Sequence, residues 1–256
     1  MRRLVELAPR ANLVWLDAVD STNDWADRIM AAALADDDPR LPPTVLVAAA
    51  QAAGHGRGSH WWASPAGGLY VTWLAWLPVE VLPGLPLAVS VACAEAVEAL
   101  VPGLAVKLKW PNDLFVDGRK LGGMLCHVRG GGEQCWARVG VGINIAGTPA
   151  LAPDDPARPI SLAGCGWDGQ LEPAIWALVS SFLGRIEAAL AEPARTRERW
   201  QSRLLHQPGD TMRVRIDDAV VEGRFVGFSA EGHLLLEVEG RNQRVAAGEV
   251  LIRLES

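Results

Sequence analysis

The chain has 256 residues with a formal net charge of −6, half of them apolar and 21% charged. This is room for one large domain, or a medium domain with a small companion, and the apolar content excludes a disordered chain. The acidic balance excludes a general nucleic-acid binder, which needs clustered positive charge, and the most apolar stretch, 82–106, is broken by Pro83, Pro86 and Pro102 and carries Glu95 and Glu98, so it does not read as a bilayer span.

In chain order, Leu13–Leu16 reads as a strand. Ser21 followed by Asp24 resembles a capping box, opening a helix through Trp25, Ile29 and the alanines of 31–35 that Asp36–Pro39 ends. Thr44–Ala50 reads as a buried strand, Gln51–Gly68 as a long glycine-rich loop and Leu69–Leu77 as another strand. Leu85–Leu100 is an apolar helix with Leu87, Val91, Ala94 and Val97 at helical spacing. Val106–Trp110 is a short strand. Asp117-Gly118 supplies the positive φ of a tight hairpin between Leu114–Val116 and the strand from Arg119. Leu121–Val128 and Cys135–Ile145 form a second hairpin around the glycines at 130–132. Cys126 and Cys135 would face each other there, but the four cysteines show no C-x-x-C spacing and suit a reducing cytosol, which disfavours a disulfide or a structural zinc site. Residues 147–170 read as loop, Pro173–Leu190 as a helix and Arg195–Leu205 as a further helical segment.

Composition changes after Pro208. Thr211–Ile216, Val220–Phe228, Leu234–Val238 and Arg244–Ile252 alternate in the strand manner, with turns at Asp217-Asp218, Glu231-Gly232 and Glu239-Gly240, which suggests a small closed barrel.

Four segments have the makings of a site. In Gln51–His60, Gly54, Gly56 and Gly58 let the backbone bend toward a ligand, Arg57 is a permanent cation, and His55 and His60 are titratable donors. No helix follows those glycines directly, so the loop is not a dinucleotide fingerprint, and no P-loop occurs anywhere. In Lys107–Asp113, alternation places Lys107 and Lys109 on one strand face. In isolation that pair reads first as the solvent side of a strand; a buried Asp113 beside a lysine would instead suit phosphate and Mg²⁺. Arg119–Gly123 sets Lys120 beside two glycines. Val139–Asn144 is an apolar strand with Gly140 and Gly142, where missing side chains mark either a bulge or a group packed flat on the backbone.

Together and in this order the segments resemble the biotin–protein ligases. That family shows D-S-T-N, Q-x-A-G-R-G-R-x-G-R-x-W-x-S-P, K-W-P-N-D, R-K-L-[AG]-G and G-x-G-I-N. Here these are Asp20–Asn23, Gln51–Pro65, Lys109–Asp113, Arg119–Gly123 and Gly140–Asn144. The resemblance covers essentially the whole chain. It implies an α+β catalytic domain over 1–207, a mixed β-sheet flanked by helices of the class II synthetase-like kind, and a small SH3-like β-barrel over 208–256. It also implies ATP and Mg²⁺, biotin as substrate, activation to biotinyl-5′-AMP, and transfer to a lysine of a carboxylase's biotin carboxyl carrier domain.

By the same resemblance, Ser21, Thr22, Asn23 and Gln51 bind biotin's ureido ring, and Gly54, His55, Gly56 and Arg57 close over the carboxylate and acyl phosphate. Lys120, with Gly122 and Gly123 beside it, holds the carboxylate and the α-phosphate. Lys109 and Asp113 organise the phosphates and Mg²⁺, and His60, Trp62, Asn112 and Asn144 complete the nucleotide side, Trp62 and Asn144 against adenine. Lys120, Arg57, Lys109 and Asp113 are the implied catalytic set.

His55 and His60 stand where the family usually has Arg, and Ser59 where it usually has Gly. That exchanges permanent charge for switchable charge and implies weaker retention of the adenylate at high pH. Only 19 residues precede Asp20, too few for the DNA-binding domain that some members carry, so a cytoplasmic ligase with no DNA or membrane partner is expected. The family often forms homodimers, and no segment decides whether this chain does. Two alternatives stay open: a lipoate–protein ligase, and a catalytically weak protein that holds biotin or its adenylate.

Overall fold

The computed structural model describes residues 11–35, 41–58, 60–130, 132–150, 158–216, 219–229, 232–246 and 248–251. The expected helix stop at Asp36–Pro39, the Asp217-Asp218 turn, Ser59 and Glu231 lie outside the described residues.

Seven strands form a mixed sheet in the order β1-β2-β3-β7-β6-β5-β4. They are β1 (Asn12–Leu16), β2 (Thr44–Ala48), β3 (Gly68–Pro78), β4 (Lys107–Lys109), β5 (Asp113–Val116), β6 (Arg119–Arg129) and β7 (Gln134–Asn144). β1 and β2 run parallel; every other neighbouring pair is antiparallel. The β5–β6 turn has Asp117 at φ +49° and Gly118 at φ +69°, the left-handed pair that the Asp-Gly dipeptide foretells.

Strand alternation gives the sheet two buried faces. On one, Leu46, Leu74 and Trp136 pack against Ala26, Met30 and Ala33 of α1 (Thr22–Ala35). On the other, Val45, Val47, Val71 and Trp73 join the core of α2 (Leu85–Leu100) and α3 (Leu171–Ala191). The segment Val79–Leu100 and helix α3 are each long and apolar enough to cross a bilayer by composition alone. In the fold their apolar faces meet the sheet and each other, and α2, apolar nearly all round, is a core helix. Its two glutamates face α4 (Pro193–Gln201) and the residues after it: Arg199 Nε donates to Glu95 at 2.7 Å and Arg203 to Glu98 at 2.9 Å.

The second sheet is antiparallel, β11-β10-β9-β8-β12, built from β8 (Thr211–Ile216), β9 (Ala219–Phe228), β10 (Leu234–Val238), β11 (Arg241–Val245) and β12 (Glu249–Leu251). It shares one hydrophobic cluster with the first: Trp200 meets Phe228 edge-on at 4.5 Å between centroids, and Trp110 Nε1 donates to the Gly232 carbonyl at 3.1 Å.

Several expectations are corrected. The capping box is half made: the Ser21 hydroxyl accepts the Asn23 amide at 3.1 Å, but the Ser21 amide donates to Asp20 at 2.8 Å while Asp24 turns to His55. The helix expected at 195–205 ends at Gln201, and the chain beyond it pairs with β4: the Leu108 amide donates to Arg203 O at 2.7 Å and the Leu205 amide to Leu108 O at 2.9 Å. The strand expected at 244–252 is two, β11 and β12, on opposite edges of the second sheet. Cys126 stands opposite Val139, and Cys135 opposite Leu77, so the register sets the two thiols apart.

Glu95 is mostly buried and has Arg185, Arg199 and Arg203 around it. Glu95→Gln leaves those guanidinium groups short of charge and is expected to cost about 1–3 kcal/mol in urea unfolding. The exposed Glu198→Gln should stay within about 0.5 kcal/mol.

Candidate active site

The α1-facing side of the sheet loses its side chains where β3, β7 and β6 meet. One cross-strand row runs Leu46, Thr72, Gly140, Leu125; the next runs Ala48, Tyr70, Gly142, Gly123. A Cβ on Gly140 would stand 2.7 Å from Asn23 Nδ2, and one on Gly142 2.5 Å from Trp62 Nε1. So Gly140 and Gly142 are places where side chains lie flat on the backbone, and above them opens a cavity of about 450 Å³, within the usual range for a small-molecule site.

One end of the cavity is a neutral hydrogen-bond network at the start of α1. The Thr22 amide and hydroxyl both donate to Gln51 Oε1, at 2.8 and 3.0 Å. Gln51 Nε2 donates to Ser64 Oγ at 2.8 Å, and Ser64 donates to the Trp62 carbonyl at 3.0 Å. Thr72 donates to Thr22 Oγ1 at 2.8 Å and stands 3.1 Å from Asn23 Oδ1. Ser21, Thr22, Asn23, Ser64 and Thr72 are all buried.

The glycine-rich loop is an ordered reversal. The Trp62 amide donates to Gly54 O at 2.9 Å, the Gly56 amide to His60 O at 2.9 Å and the His60 amide to Arg57 O at 3.0 Å. A Cβ on Gly54 would come 2.4 Å from Trp62 O, which explains that glycine. His55 Nε2 sits 2.9 Å from Asp24 Oδ1, tying the loop to α1. Arg57 reaches across to the second sheet and donates to Gly248 O at 2.6 Å.

Cations crowd the other end. Lys120 Nζ stands 2.7 Å from Asp113 Oδ1 and 5.3 Å from the centre of the Trp62 ring. Lys109 is buried, with its ammonium 5.7 Å from the centre of the Phe115 ring, so the solvent-side reading of that lysine is replaced by a core position facing the cavity. Burial pushes the Lys109 pKa down; Asp113 and Glu249 oppose that and Lys120 adds to it. Burial likewise lowers Arg57, against the pull of Asp113 and Glu249. Four basic side chains (Arg57, Lys109, Lys120, Arg215) face two carboxylates (Asp113, Glu249) along the wall, in a chain that is acidic as a whole. The excess suits a polyanion.

Thr22, Asn23, Gln51, His55, Gly56, Arg57, His60, Trp62, Lys109, Asn112, Asp113, Lys120, Gly123 and Asn144 thus come to one cavity. Ser21, Gly54 and Gly122 stand behind its wall: Ser21 caps α1, and Gly122 gives β6 close approach to β7, its would-be Cβ falling 2.5 Å from Gly142 O. Asn112 and Asn144 also brace the scaffold, donating to Met124 O at 2.6 Å and Ile160 O at 3.0 Å. Asp113 supplies one carboxylate and Lys120 occupies one of its oxygens; among the described residues no three His, Cys, Asp or Glu side chains gather to cage a metal. Sequence reasoning missed two hydroxyls of the apolar strand β3: Thr72, and Tyr70, whose hydroxyl donates to Pro65 O at 2.7 Å and whose burial pushes its pKa up to about 12. It also missed Arg215, Glu249, Val250 and Leu251, which carry no local signal because they belong to ordinary alternating strands.

A mixed sheet thus carries one cavity lined both by basic side chains and by a neutral hydrogen-bonding network. The biotin/lipoate A/B protein ligase family matches residues 18–144. Chloroplastic biotin–protein ligase 1 of Arabidopsis thaliana is 35% identical over 140 residues, 52% of this chain but 36% of its own length. The biotin–[acetyl-CoA-carboxylase] ligase of Mycobacterium tuberculosis is 29% identical over 248 residues, 92% of this chain and 88% of its own. The structure of biotin protein ligase from Aquifex aeolicus in complex with biotin and ATP superposes with a TM-score of 0.74 at 25% identity, covering 95% of this chain and 99% of that one. The chain belongs to the biotin/lipoate A/B protein ligase family, and within it is an enzyme of the biotin–protein ligase type.

Two substitutions test this geometry. Gly142→Ala is expected to cost about 1–3 kcal/mol by overpacking against Trp62, while Gly147→Ala, with open space around it, should be near neutral; urea unfolding reads both. Lys109 releases its proton more readily folded than unfolded, so below its ordinary value of 10.5 the unfolded chain binds more protons and stability rises with pH through that window. Lys109→Met should therefore melt no lower than the parent at pH 7 and lose that alkaline rise, as read by melting from pH 8 to 10.

Proposed function

We propose that this protein condenses biotin with ATP to biotinyl-5′-AMP and then transfers the biotinyl group to the lysine of a biotin carboxyl carrier domain, such as that of acetyl-CoA carboxylase. The observation that carries the reading is the polarity of one cavity: a neutral Thr22–Gln51–Ser64 network at one end and Arg57, Lys109 and Lys120 at the other. Biotin has the same two ends, a neutral cyclic urea and a carboxylate, and the carboxylate has to meet a triphosphate.

In the first step a biotin carboxylate oxygen attacks the α-phosphorus and pyrophosphate leaves. Both reactants are anions. Lys120 and Lys109, both largely withdrawn from solvent, offset their repulsion and the charge that develops at the transferring phosphorus. The Lys120–Asp113 pair supports this role: a carboxylate holds the ammonium in the cavity until the substrate's own anions compete for it. The loop Gly54–Arg57 supplies N–H groups and one guanidinium over the same space, where excluding water protects a mixed anhydride from hydrolysis. In the second step the neutral ε-amine of the acceptor lysine attacks the carbonyl carbon, AMP departs, and the amine's proton passes to solvent. Trp62 and Asn144 border the cavity where the adenosine would lie. A Mg²⁺ brought in by the triphosphate would find one protein carboxylate, Asp113, and keep phosphate and water oxygens for the rest of its shell, the usual arrangement for that ion. We read residues 208–256 as a separate small domain whose β12 edge closes this cavity.

The test is exchange of labelled pyrophosphate into ATP. Exchange is expected with biotin and not with lipoate, and to fall at least about 100-fold in Lys120→Ala, the size of loss that follows removal of one fixed charge donor. Exchange driven by lipoate instead would overturn the substrate, and biotin binding with no exchange would make this a binding protein. Transfer is then read as the mass gain of a biotinyl group on a carrier domain, lost when its acceptor lysine is replaced.

A further inference from the structure

Thr72 lies on β3 in a run of apolar residues and is completely buried. It does not line the cavity; it touches the two residues that do, Thr22 and Asn23. Its neighbours in the row across the sheet are Leu46 and Gly140, and the empty place above Gly140 is filled by the Asn23 amide. Placing a hydroxyl in this apolar setting is costly unless it is hydrogen-bonded.

Its value lies in where the protons go. Gln51 Nε2 donates to Ser64, so Gln51 Oε1 faces Thr22 and accepts both its amide and its hydroxyl. A threonine hydroxyl has one proton. Once given to Gln51, it leaves Thr22 Oγ1 able only to accept. Asn23 Oδ1 is an acceptor as well. Thr72 has one proton and two acceptors within reach, at 2.8 and 3.1 Å. That single proton serves one acceptor at a time, or both in a three-centre bond, so each neighbour is kept as an acceptor and neither is saturated; both line the cavity.

We propose that Thr72 is a specificity-determining positioning residue, which holds Thr22 Oγ1 and Asn23 Oδ1 as hydrogen-bond acceptors and so selects for a ligand that offers N–H donors at this end, as a cyclic urea does and a dithiolane does not. The inference rests on the biotin reading above. Without the Thr72 hydroxyl, the Thr22 proton is free to turn and the Asn23 amide is free to flip, presenting NH₂ where the ligand also presents N–H.

The experiment compares parent, Thr72→Val and Thr72→Ser in biotin-dependent pyrophosphate exchange, with biotin and with biotin methylated on a ureido nitrogen. Thr72→Val is expected to raise KM for biotin about 10-fold, leave KM for ATP within about twofold, and shrink the preference for biotin over the methylated analogue by about 10-fold. Thr72→Ser, which keeps the donor, should restore all three. Should Thr72→Val lose its cooperative melt, Thr72→Cys, similar in size with a weak donor, is expected to shift the same three readouts in the same direction. An unchanged biotin KM, or equal rises in KM for biotin and ATP, overturns the proposal while leaving the biotin reading intact. Absence of biotin-dependent exchange in the parent protein overturns both.

Discussion

The site rests on a shortage of side chains. At Gly123, Gly140 and Gly142 the sheet presents bare backbone on a face that elsewhere carries Leu46, Leu74 and Trp136. Trp62 and Asn23 settle directly on that backbone, closer than any Cβ would permit. Everything else follows from this lowering of the floor: the loop from Gln51 comes down onto the sheet, α1 delivers its first turn to the same place, and a void remains between them.

Electrostatics determines what the void can hold. Lys109 and Arg57 are both mostly buried, and burial alone makes their charged forms unfavourable. Asp113, itself held against Lys120, and Glu249 are the carboxylates common to both. The cluster is thus under-neutralised within a chain that carries excess acid overall, and the imbalance is a standing cost to the fold, recovered when phosphate arrives. The neutral network at the far end has the opposite character, since Thr22, Gln51, Ser64 and Thr72 are joined to one another by hydrogen bonds that carry no charge.

Much of this was legible from the chain. Regular alternation and the Asp117-Gly118 turn located β3, β5, β6 and β7 closely because their constraints are local: two-residue periodicity and positive φ. The two strand glycines, Gly140 and Gly142, were legible as places where a group packs flat, though not which group. What sequence could not yield was contact across distance. Thr72 looks like any strand threonine until Thr22 and Asn23 are laid over it. Arg215 and Glu249 belong to unremarkable alternating strands, and only tertiary packing brings them to the cavity wall. Alternation alone read Lys109 as solvent-facing, where the family resemblance implied a phosphate-binding role, because alternation assigns a face and not what covers it. The capping box went half unmade because Asp24 had a competing partner in His55, thirty-one positions away.

The pairing of residues 203–205 with β4 has a consequence for how the molecule is made. The seven strands of the first sheet are all synthesised by Asn144, yet one border of that sheet is finished by chain some sixty residues later. On a ribosome, the backbone groups of Leu108 wait unpaired while α3 and α4 are translated. A nascent chain halted in that interval displays an open ladder, the kind of template on which neighbouring polypeptides stack. The connection between the two sheets is therefore also a seal, and shortened forms ending before Leu205 should be kept soluble only by something that occupies its place.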